Sequence, residues 1–166
     1  MSGPPFYGKY RGTVSDVQDT MFLGRIKANV PDVLGDQESG WALPCAPFGG
    51  DGAGLFVLPK VGAGVWIEFE HGDPEFPIWA GCWFGASSQV PSDAWQPAPY
   101  TGVYLKTVGG IIVSLDDNAG SISFKTPNGQ ELNLTADAIE IKFSGSCSIK
   151  LGSSGVSVND GALEVL

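Results

Sequence analysis

The sequence predicts an all-β protein in which a small barrel is followed by a strand-rich tail. Glycine (24) and proline (12) are frequent among the 166 residues, and charged residues make up only 16%. No stretch carries apolar residues at the three- and four-residue spacing of a helix, whereas short alternating runs separated by Gly, Pro and Asp recur. The length suits one ordinary domain, or one small domain with an extended appendage.

The first half of the chain contains five strand-like runs. They cover residues 10–17, 23–30, 40–46, 64–70 and 77–84. In the fourth run Val65, Ile67 and Phe69 alternate with Trp66 and two glutamates, as expected when one strand face packs inward. Five short strands with long, variable connections suit an oligonucleotide/oligosaccharide-binding (OB) barrel.

The composition changes after this barrel. Residues 86–101, ASSQVPSDAWQPAPYT, have the small polar residues and prolines of a semi-rigid connector. Beyond them come eight short runs without a fixed period: VYLKTV, IIVSLDD, SISFKT, ELNLTA, AIEIKF, CSIKL, VSV and ALEVL. The predicted domains are therefore an N-terminal arm (1–9), an OB domain (10–85), a connector (86–101) and a tail (102–166).

The tail has one apolar and one polar face. From residue 139 to 151 apolar side chains occupy odd positions, and polar ones the even positions between them. The register slips after a Gly-Ser turn, and a second slip precedes Leu163 and Val165. The predicted apolar core residues are Ile139, Ile141, Phe143, Cys147, Ile149, Leu151, Val156 and Val158.

The short strands of the tail are not expected to be stable on their own with that face exposed. Burying each such side chain stabilises by roughly 1.5–3 kcal/mol, but ordering a residue costs about 1–2 kcal/mol in backbone entropy. An isolated hairpin is marginal in water. Either the tail lies on the barrel, or identical tails wrap around one axis and close each other's edges. The Pro-rich spacer favours the second interpretation.

Charge and cysteines exclude several classes of function. The net charge of −9, with only two small basic clusters at residues 9–11 and 25–27, makes nucleic acid a poor partner. The N-terminus lacks an apolar segment after a basic one, so we expect synthesis in the cytoplasm without a signal peptide. Cys45, Cys82 and Cys147 are odd in number and far apart, which predicts buried free thiols.

The stretch FEHGDPEFPIWAGCWFG, residues 69–85, raises the question of an active site. Carboxylates suited to hydrolysis would come from Glu68, Glu70, Asp73 and Glu75, assisted by His71. Alternation places Glu68 and Glu70 opposite the apolar face of their strand, and no neighbour is evidently placed to raise a carboxyl pKa. We therefore interpret the stretch as a solvated strand edge and turn.

Other catalytic and cofactor sites are weakly supported. A metal would need His71, Cys45, Cys82 or Asp73 to converge, yet no dense ligand spacing is present. The glycines at 49–52 and 62–64 precede no helix that could hold a phosphate. Ser39 and Ser87 lack a histidine placed by sequence to activate them. We expect no cofactor, metal or catalytic residue.

Three linked segments resemble a known family. They are YRGTVSDVQDTMFLGRIKANVPDV, SGWALPCAPFGG and LPKVGAGVWIEFEHGDPEFPIWAGCWFG. Through G-R-I-K-x-x-V-P, W-A-L-P-C and V-W-I-E-F-E-x-G-D-P-x-x-P-I-W-x-G they resemble the OB domain of the phage baseplate assembly protein V and VgrG family. These proteins are central spikes of contractile tails, type VI secretion systems and extracellular contractile injection systems. The passage LKTVGGIIVSLDDNAGSISFKTPNGQELNL resembles the family's entry into a three-stranded β-helix.

The resemblance implies a homotrimer with OB domains beneath a tail tube and C-terminal strands intertwined into a triangular β-helix, or β-prism, needle. The apolar residues above would form its trimer core. A separate hub protein would be a partner, cargo effectors are possible, and a PAAR-like tip protein would sit on a platform formed by Leu163, Val165 and Leu166. The connector is too short for the lysozyme domain that some phage relatives carry there.

The resulting interpretation is a non-enzymatic structural spike of a phage tail or injection particle that pierces a target envelope. One alternative is an oligomeric OB module that binds carbohydrate or another ligand. A second is an envelope-degrading hydrolase that uses Glu68, Glu70 or Asp73.

Overall fold

The computed structural model describes residues 5–95, 101–143 and 147–165, and the chain divides into two compact units, Met1–Gln89 and Val90–Leu166. The all-β prediction is confirmed. Helical structure within the described ranges is limited to short turns: α1 (Pro31–Leu34) and the 3-10 turns Glu70–Gly72, Ser87–Gln89 and Ser92–Trp95. No helix in these ranges has both the length and the apolarity needed to cross a bilayer.

The first unit is organised around one mixed sheet. Its described strands are β1 (Tyr10–Asp16), β2 (Lys27–Asn29), β3 (Leu43–Pro44), β4 (Gly49–Gly50), β5 (Ala53–Gly54), β6 (Gly64–Phe69) and β7 (Pro77–Trp83). The sheet order is β2-β1-β6-β7-β3, and β4 pairs with β5 in a separate hairpin. Neighbours in the sheet run antiparallel, except that β3 lies parallel to β7. Each predicted run contains one strand of this sheet.

All five predicted runs extend beyond the strands they contain, by one residue in three of them and by more in the runs 23–30 and 40–46. Residues 23–25 belong to a loop, because Asp19 accepts amide hydrogen bonds that a neighbouring strand would otherwise accept. The runs 23–30 and 40–46 are still joined by an isolated bridge between Ile26 and Ala42. Glu70, expected at the end of a strand, instead begins a 3-10 turn in which His71 has a φ of 54°.

The core of the first unit lies on one face of this sheet. Val65, Ile67 and Phe69 are buried, so the inward direction predicted from their alternation is confirmed. Burial of each such side chain contributes roughly 1.5–3 kcal/mol. The buried apolar residues are Val14, Ile26, Ala28, Val30, Ala42, Val65, Ile67 and Phe69.

The second unit is an antiparallel meander. The described residues form an eight-stranded sheet in which each strand pairs with the next one along the chain. The strands are β8 (Gly102–Lys106), β9 (Ile112–Asp116), β10 (Ser121–Lys125), β11 (Glu131–Leu134), β12 (Ala138–Lys142), β13 (Ser148–Gly152), β14 (Gly155–Val158) and β15 (Leu163–Val165). Each of the eight runs recognised in the sequence overlaps one of these strands, and three of the strands extend one residue beyond their run, to Gly102, Gly152 and Gly155.

Glycine is required where this meander begins. Gly102 has a φ of 136°, and a β-carbon at that position would lie 1.9 Å from the carbonyl oxygen of Leu115 on the neighbouring strand. Any side chain would therefore collide with the backbone of β9.

The prediction of buried thiols is wrong for the single chain, because Cys45, Cys82 and Cys147 are all free and exposed. Cys45 follows the two-residue strand β3, and Cys147 precedes β13 in a hairpin connection. Apolar neighbours in the sequence suggested burial, but Cys45 and Cys147 lie just outside the ends of strands, and Cys82, within β7, is exposed as well.

Candidate assembly surface

One face of the C-terminal sheet carries two parallel rows of apolar side chains, with one residue from every strand in each row. The first row consists of Val103, Leu115, Ile122, Leu134, Ile139, Leu151, Val156 and Val165. The second row consists of Leu105, Val113, Phe124, Leu132, Ile141, Ile149, Val158 and Leu163. We call these residues together the apolar face.

The apolar face is open to solvent in the single chain. Each of its side chains is exposed or half-buried, and none is buried. Phe124, near the middle of the sheet, is 45% exposed. A continuous exposed apolar surface of this kind usually marks an interaction site, since monomeric soluble proteins rarely expose large apolar patches.

Hairpin register keeps these side chains on one face. Leu115, an odd-numbered residue, lies opposite Ile122, an even-numbered one, so the parity changes between β9 and β10. The slip predicted before Val156 is present, since Val156 lies opposite Leu151. A one-residue slip would otherwise move a whole strand's apolar set to the other face.

The opposite face is polar and cross-linked by its own side chains. Ser123 donates a hydrogen bond to Asn133 Oδ1 at 2.7 Å. Lys125 forms an ion pair with Glu131 at 2.7 Å, and this contact, with a further hydrogen bond from Asn133, lowers the pKa of the Glu131 carboxyl. The central polar row is Tyr104, Ser114, Ser123, Asn133, Glu140, Lys150 and Ser157.

The described end of the connector is attached to this polar face. Asp93, in the 3-10 turn Ser92–Trp95, accepts hydrogen bonds from the Tyr104 hydroxyl at 3.1 Å and from Lys106 Nζ at 3.2 Å. Lys106, followed by Ser92 and Tyr104, lowers the pKa of Asp93. Because both partners on β8 point to the polar side, this contact leaves the apolar face uncovered.

The structure brings most of the predicted core residues together. The two rows contain all of them except Phe143 and Cys147, which lie just beyond β12 and before β13. The amide of Phe143 donates to the carbonyl of Cys147 at 2.9 Å, so the two residues close the hairpin. Their assignment to a trimer core stays a prediction.

The register also extends the rows beyond the residues predicted from sequence. Leu163 and Val165, predicted to form a tip platform, lie opposite Val158 and Val156 at the end of the two rows. Leu166, the third platform residue, lies outside the described residues. The sequence-based list missed the apolar residues of β8–β11, namely Val103, Leu105, Val113, Leu115, Ile122, Phe124, Leu132 and Leu134.

The residues considered for hydrolysis are Glu68, Glu70, His71, Asp73 and Glu75. Glu68 forms an ion pair with Lys9, and Asp73 Oδ1 accepts the backbone amide of Glu75 at 3.0 Å. These contacts stabilise the N-terminal segment and the turn. Within the described residues, no three His, Cys, Asp or Glu side chains converge into a metal-ligand group.

The remaining candidates occupy structural positions. Ser39 is buried, where its hydroxyl accepts the amide of Ala28 at 3.0 Å and donates to the carbonyl of Gly40 at 2.8 Å. Ser87 lies in an exposed 3-10 turn. The glycines at 49–52 belong to the β4–β5 hairpin, and those at 62–64 lead directly into β6.

Sequence patterns also missed a polar cluster in the first unit. The buried Asp19 carboxylate accepts backbone amides from Met21, Leu23 and Arg25 at 3.0, 2.8 and 3.2 Å. The Arg25 guanidinium donates to the same carboxylate through Nε at 3.1 Å and Nη2 at 2.6 Å. Arg25, with these amides, holds the pKa of Asp19 well below its usual value of 3.8.

Comparison with known proteins agrees with this architecture. Residues 10–84 match the family described as the type VI secretion system/phage-baseplate injector OB domain, and residues 102–164 match the phage baseplate V C-terminal trimerisation domain. The type VI secretion system spike protein VgrG4b of Pseudomonas aeruginosa is 34% identical over 73 residues, which are 44% of this chain and 9% of that protein. This chain thus spans only about a tenth of that relative.

The two family matches cover different units of the chain. The first unit is an OB domain, as predicted, and the apolar face lies within the trimerisation domain apart from Val165. The trimerisation domain supports a homotrimer. The resemblance found in the sequence is therefore confirmed, and the chain belongs to the phage baseplate V and VgrG-like family of structural spike proteins.

Proposed function

We propose that this chain is the central spike of a contractile injection machine, either a phage tail baseplate or a related injection system. Three copies would form a needle beneath the tail tube that pierces the target envelope. The observation that carries this proposal is the apolar face, which crosses every described strand of the C-terminal sheet and is uncovered in the single chain.

Three copies around one axis solve the packing problem of this face. Each chain would contribute one sheet, with its two apolar rows directed toward the axis and its polar face toward water. Each side chain would then gain roughly 1.5–3 kcal/mol on full burial. This burial would offset part of the conformational entropy lost when the tail is ordered.

The mechanism we propose is mechanical. A water-excluding interior with continuous strand pairing makes local opening rare, because opening would expose apolar surface and backbone hydrogen-bonding groups together. With strands spaced by about 4.8 Å, eight layers give a needle on the order of 40 Å long. A short, stiff rod of this kind would transmit force from a contracting sheath without bending.

Partner proteins would bind at the two ends of the trimeric spike. We expect a hub protein to connect the OB domains to the tail tube, and a PAAR-like tip protein to bind at the C-terminal end near Leu163, Val165 and Leu166. Cargo effectors are possible additional partners. The chain would reside in the assembled particle and reach the target envelope on contraction.

We propose no catalytic role for this chain. Two of the carboxylates near the β6–β7 turn make local contacts, Glu68 with Lys9 and Asp73 with the Glu75 amide. If the second alternative, a hydrolase, were correct, purified chain would cleave murein, and alanine at Glu68, Glu70 or Asp73 would abolish cleavage while assembly persisted. We expect no cleavage by the unmodified chain.

Light scattering on the purified full chain tests the central claim. We expect a particle of three times the 17.4 kDa chain mass. A compact, soluble, heat-resistant monomer would contradict the spike proposal, because the apolar face would then be stable in water without partners. A trimer that also binds sugars tightly on a carbohydrate array would instead favour the OB ligand-binding alternative.

A further inference from the structure

The OB domain carries a second exposed apolar surface, formed by two neighbouring loops. One is the loop of residues 19–25 between β1 and β2, which presents Met21, Phe22 and Leu23 to solvent. The other is the segment of residues 55–57 after β5, which presents Leu55, Phe56 and Val57. We call these the 19–25 loop and the 55–57 segment.

The 19–25 loop is held in one conformation by Asp19. Its carboxylate binds the amides of Met21, Leu23 and Arg25, as described above, together with the Arg25 side chain. From the other side, Trp79 Nε1 donates a hydrogen bond to the carbonyl of Gly24 at 3.1 Å. A loop with this many fixed backbone contacts presents its tip residues in a preorganised geometry, which lowers the entropic cost of binding.

The tip of the loop is costly to maintain in isolation. Phe22 is 90% exposed and has a φ of 57°, in the left-handed region that bulky residues rarely adopt. Such strain persists where the surrounding contacts impose it and often accompanies function. An ordered, protruding aromatic side chain is also typical of the residues that dominate binding interfaces.

The 55–57 segment lies beside this tip. Phe56 is 70% exposed, and its ring covers Gly24 so closely that a β-carbon there would lie 3.0 Å from Cε2. Between the two elements is a groove of about 470 Å3. Its lining is mostly apolar and includes Val17, Phe22, Gly24, Phe56 and Leu58.

We infer that this surface is a contact between OB domains of neighbouring chains, in which the Phe22 tip of one copy packs against the 55–57 segment of the next. The inference rests on the homotrimer that the trimerisation domain supports. It adds a second interface, formed by the OB domains, between the same three chains.

A second copy is the occupant favoured by chain connectivity. The last OB strand ends at Trp83 and the C-terminal sheet begins at Gly102, so the intervening chain spans at most about 60 Å when fully extended. Once the C-terminal sheets trimerise, the three OB domains are held at an effective concentration on the order of millimolar. At that effective concentration, the apolar loops of neighbouring OB domains would contact each other more often than they would contact a free partner protein.

The two elements also fit the symmetry of a trimer. A threefold ring needs two different complementary surfaces on each copy, because every subunit meets one neighbour with one surface and the other neighbour with the second. In the proposed contact the protruding Phe22 tip would be one of these surfaces, and the 55–57 segment with the groove beside it would be the other. A twofold contact would instead need one self-complementary patch.

Mixed cross-linking of the full chain tests the inference. In a background where Cys45, Cys82 and Cys147 are replaced by serine, one tagged chain carries Phe22→Cys and a differently tagged chain carries Phe56→Cys. After co-expression and treatment with a short bifunctional maleimide, we expect a covalent product that carries both tags. Each chain has one thiol, so this product can form only between chains.

The matched control pairs Phe22→Cys with Phe76→Cys, since Phe76 is also an exposed aromatic residue of the OB domain. We expect no mixed product from that pair. If the serine background does not fold, a photoreactive phenylalanine analogue at position 22 of the otherwise unchanged protein should cross-link to residues 55–57 of another chain.

The outcomes separate this inference from the proposed function. A trimer by light scattering without the mixed Phe22–Phe56 product would overturn the inference and leave the spike proposal intact, as would equal product from the Phe76 control. Protection of the cysteine at position 22 only after a baseplate partner is added would assign the surface to that partner and also overturn the inference. A monomer would overturn both.

Discussion

Ile141 on β12 lies directly opposite Ile149 on β13, and both side chains are exposed in the single chain. On the same two strands Glu140 lies opposite Lys150, on the other face of the sheet. The apolar pair and the charged pair are therefore adjacent along the two strands but lie on opposite faces of the sheet. Excluding water from the isoleucines would stabilise this arrangement, and in a homotrimer the equivalent faces of the other two chains would do so.

The first prediction uses this separation of faces. Ile149→Asp would place three carboxylates in the shared interior, where each unpaired buried charge costs several kcal/mol. We expect this variant to be a monomer, or unfolded in its C-terminal unit, at micromolar concentration by light scattering.

Lys150→Asp is the matched control, because it introduces the same side chain one residue away on the polar face. We expect it to remain trimeric. Equal dissociation of both variants would contradict the assignment of faces, and so would two intact trimers.

The second prediction concerns Phe124, a residue of the apolar face that was identified from the strand register and not from the sequence pattern. Phe124→Ala should destabilise the trimer by about 3 kcal/mol per chain, because the ring would be buried against other copies. Phe76→Ala is the control: Phe76 is 57% exposed and lies in the OB domain, so we expect a change within about 0.5 kcal/mol. Denaturant unfolding at a fixed chain concentration measures both. Similar small effects would show that Phe124 stays exposed.

Much of the C-terminal architecture could be predicted from the sequence, because alternation is a local pattern. The odd-numbered apolar positions from Ile139 to Leu151 and the slip before Val156 were visible in the residues and are present in the strand pairing. Whether two runs share a face depends on hairpin register, which turn length decides. Leu115 and Ile122 have opposite parity and still lie together, so β8–β11 were left out of the predicted core.

The OB domain shows a different limit of sequence reasoning. The alternation of Val65 and Ile67 predicted a buried strand face correctly. The hydrogen bonds of Asp19 reach amides up to six residues away, and no periodic pattern encodes such loop contacts. The sequence therefore predicted a strand from residue 23 onward. In the structure, the amides of Leu23 and Arg25 donate to the Asp19 carboxylate instead.

The third prediction concerns the attachment of the connector to β8. The pKa of Asp93 is lowered by Lys106 first, then by Ser92 and Tyr104, so its stabilising contribution is present above the ordinary pKa of 3.8 and is lost as the pH falls below it. At neutral pH we expect faster amide hydrogen exchange across residues 92–95 in Asp93→Asn than in the unmodified chain.

The comparison should be made at each pH, so that the intrinsic exchange rates cancel. The difference between the two proteins should shrink on acidification to pH 3. Asp117→Asn, which changes another exposed aspartate of the same unit, should have no effect on residues 92–95. A difference that persists unchanged at low pH would show that the carboxylate charge is not what holds the connector.

The fourth prediction concerns Asp19. Asp19→Asn removes one of the two carboxylate oxygens that bind the amides of Met21, Leu23 and Arg25, and it leaves the Arg25 guanidinium without its counter-charge. We expect the melting temperature of the OB domain in the full chain to fall by at least about 5 °C at pH 7. Calorimetry would resolve this transition.

The pH dependence of that difference provides the sharper test. Because the folded-state pKa of Asp19 lies well below 3.8, the unfolded chain takes up the proton first as the pH falls, and the advantage of the unmodified protein decreases below about pH 4. Asp73→Asn is the matched control, since Asp73 accepts one amide at an exposed turn; we expect a much smaller decrease in the melting temperature. If Asp19→Asn and Asp73→Asn melted alike across this range, the Asp19 carboxylate would not be what fixes the 19–25 loop.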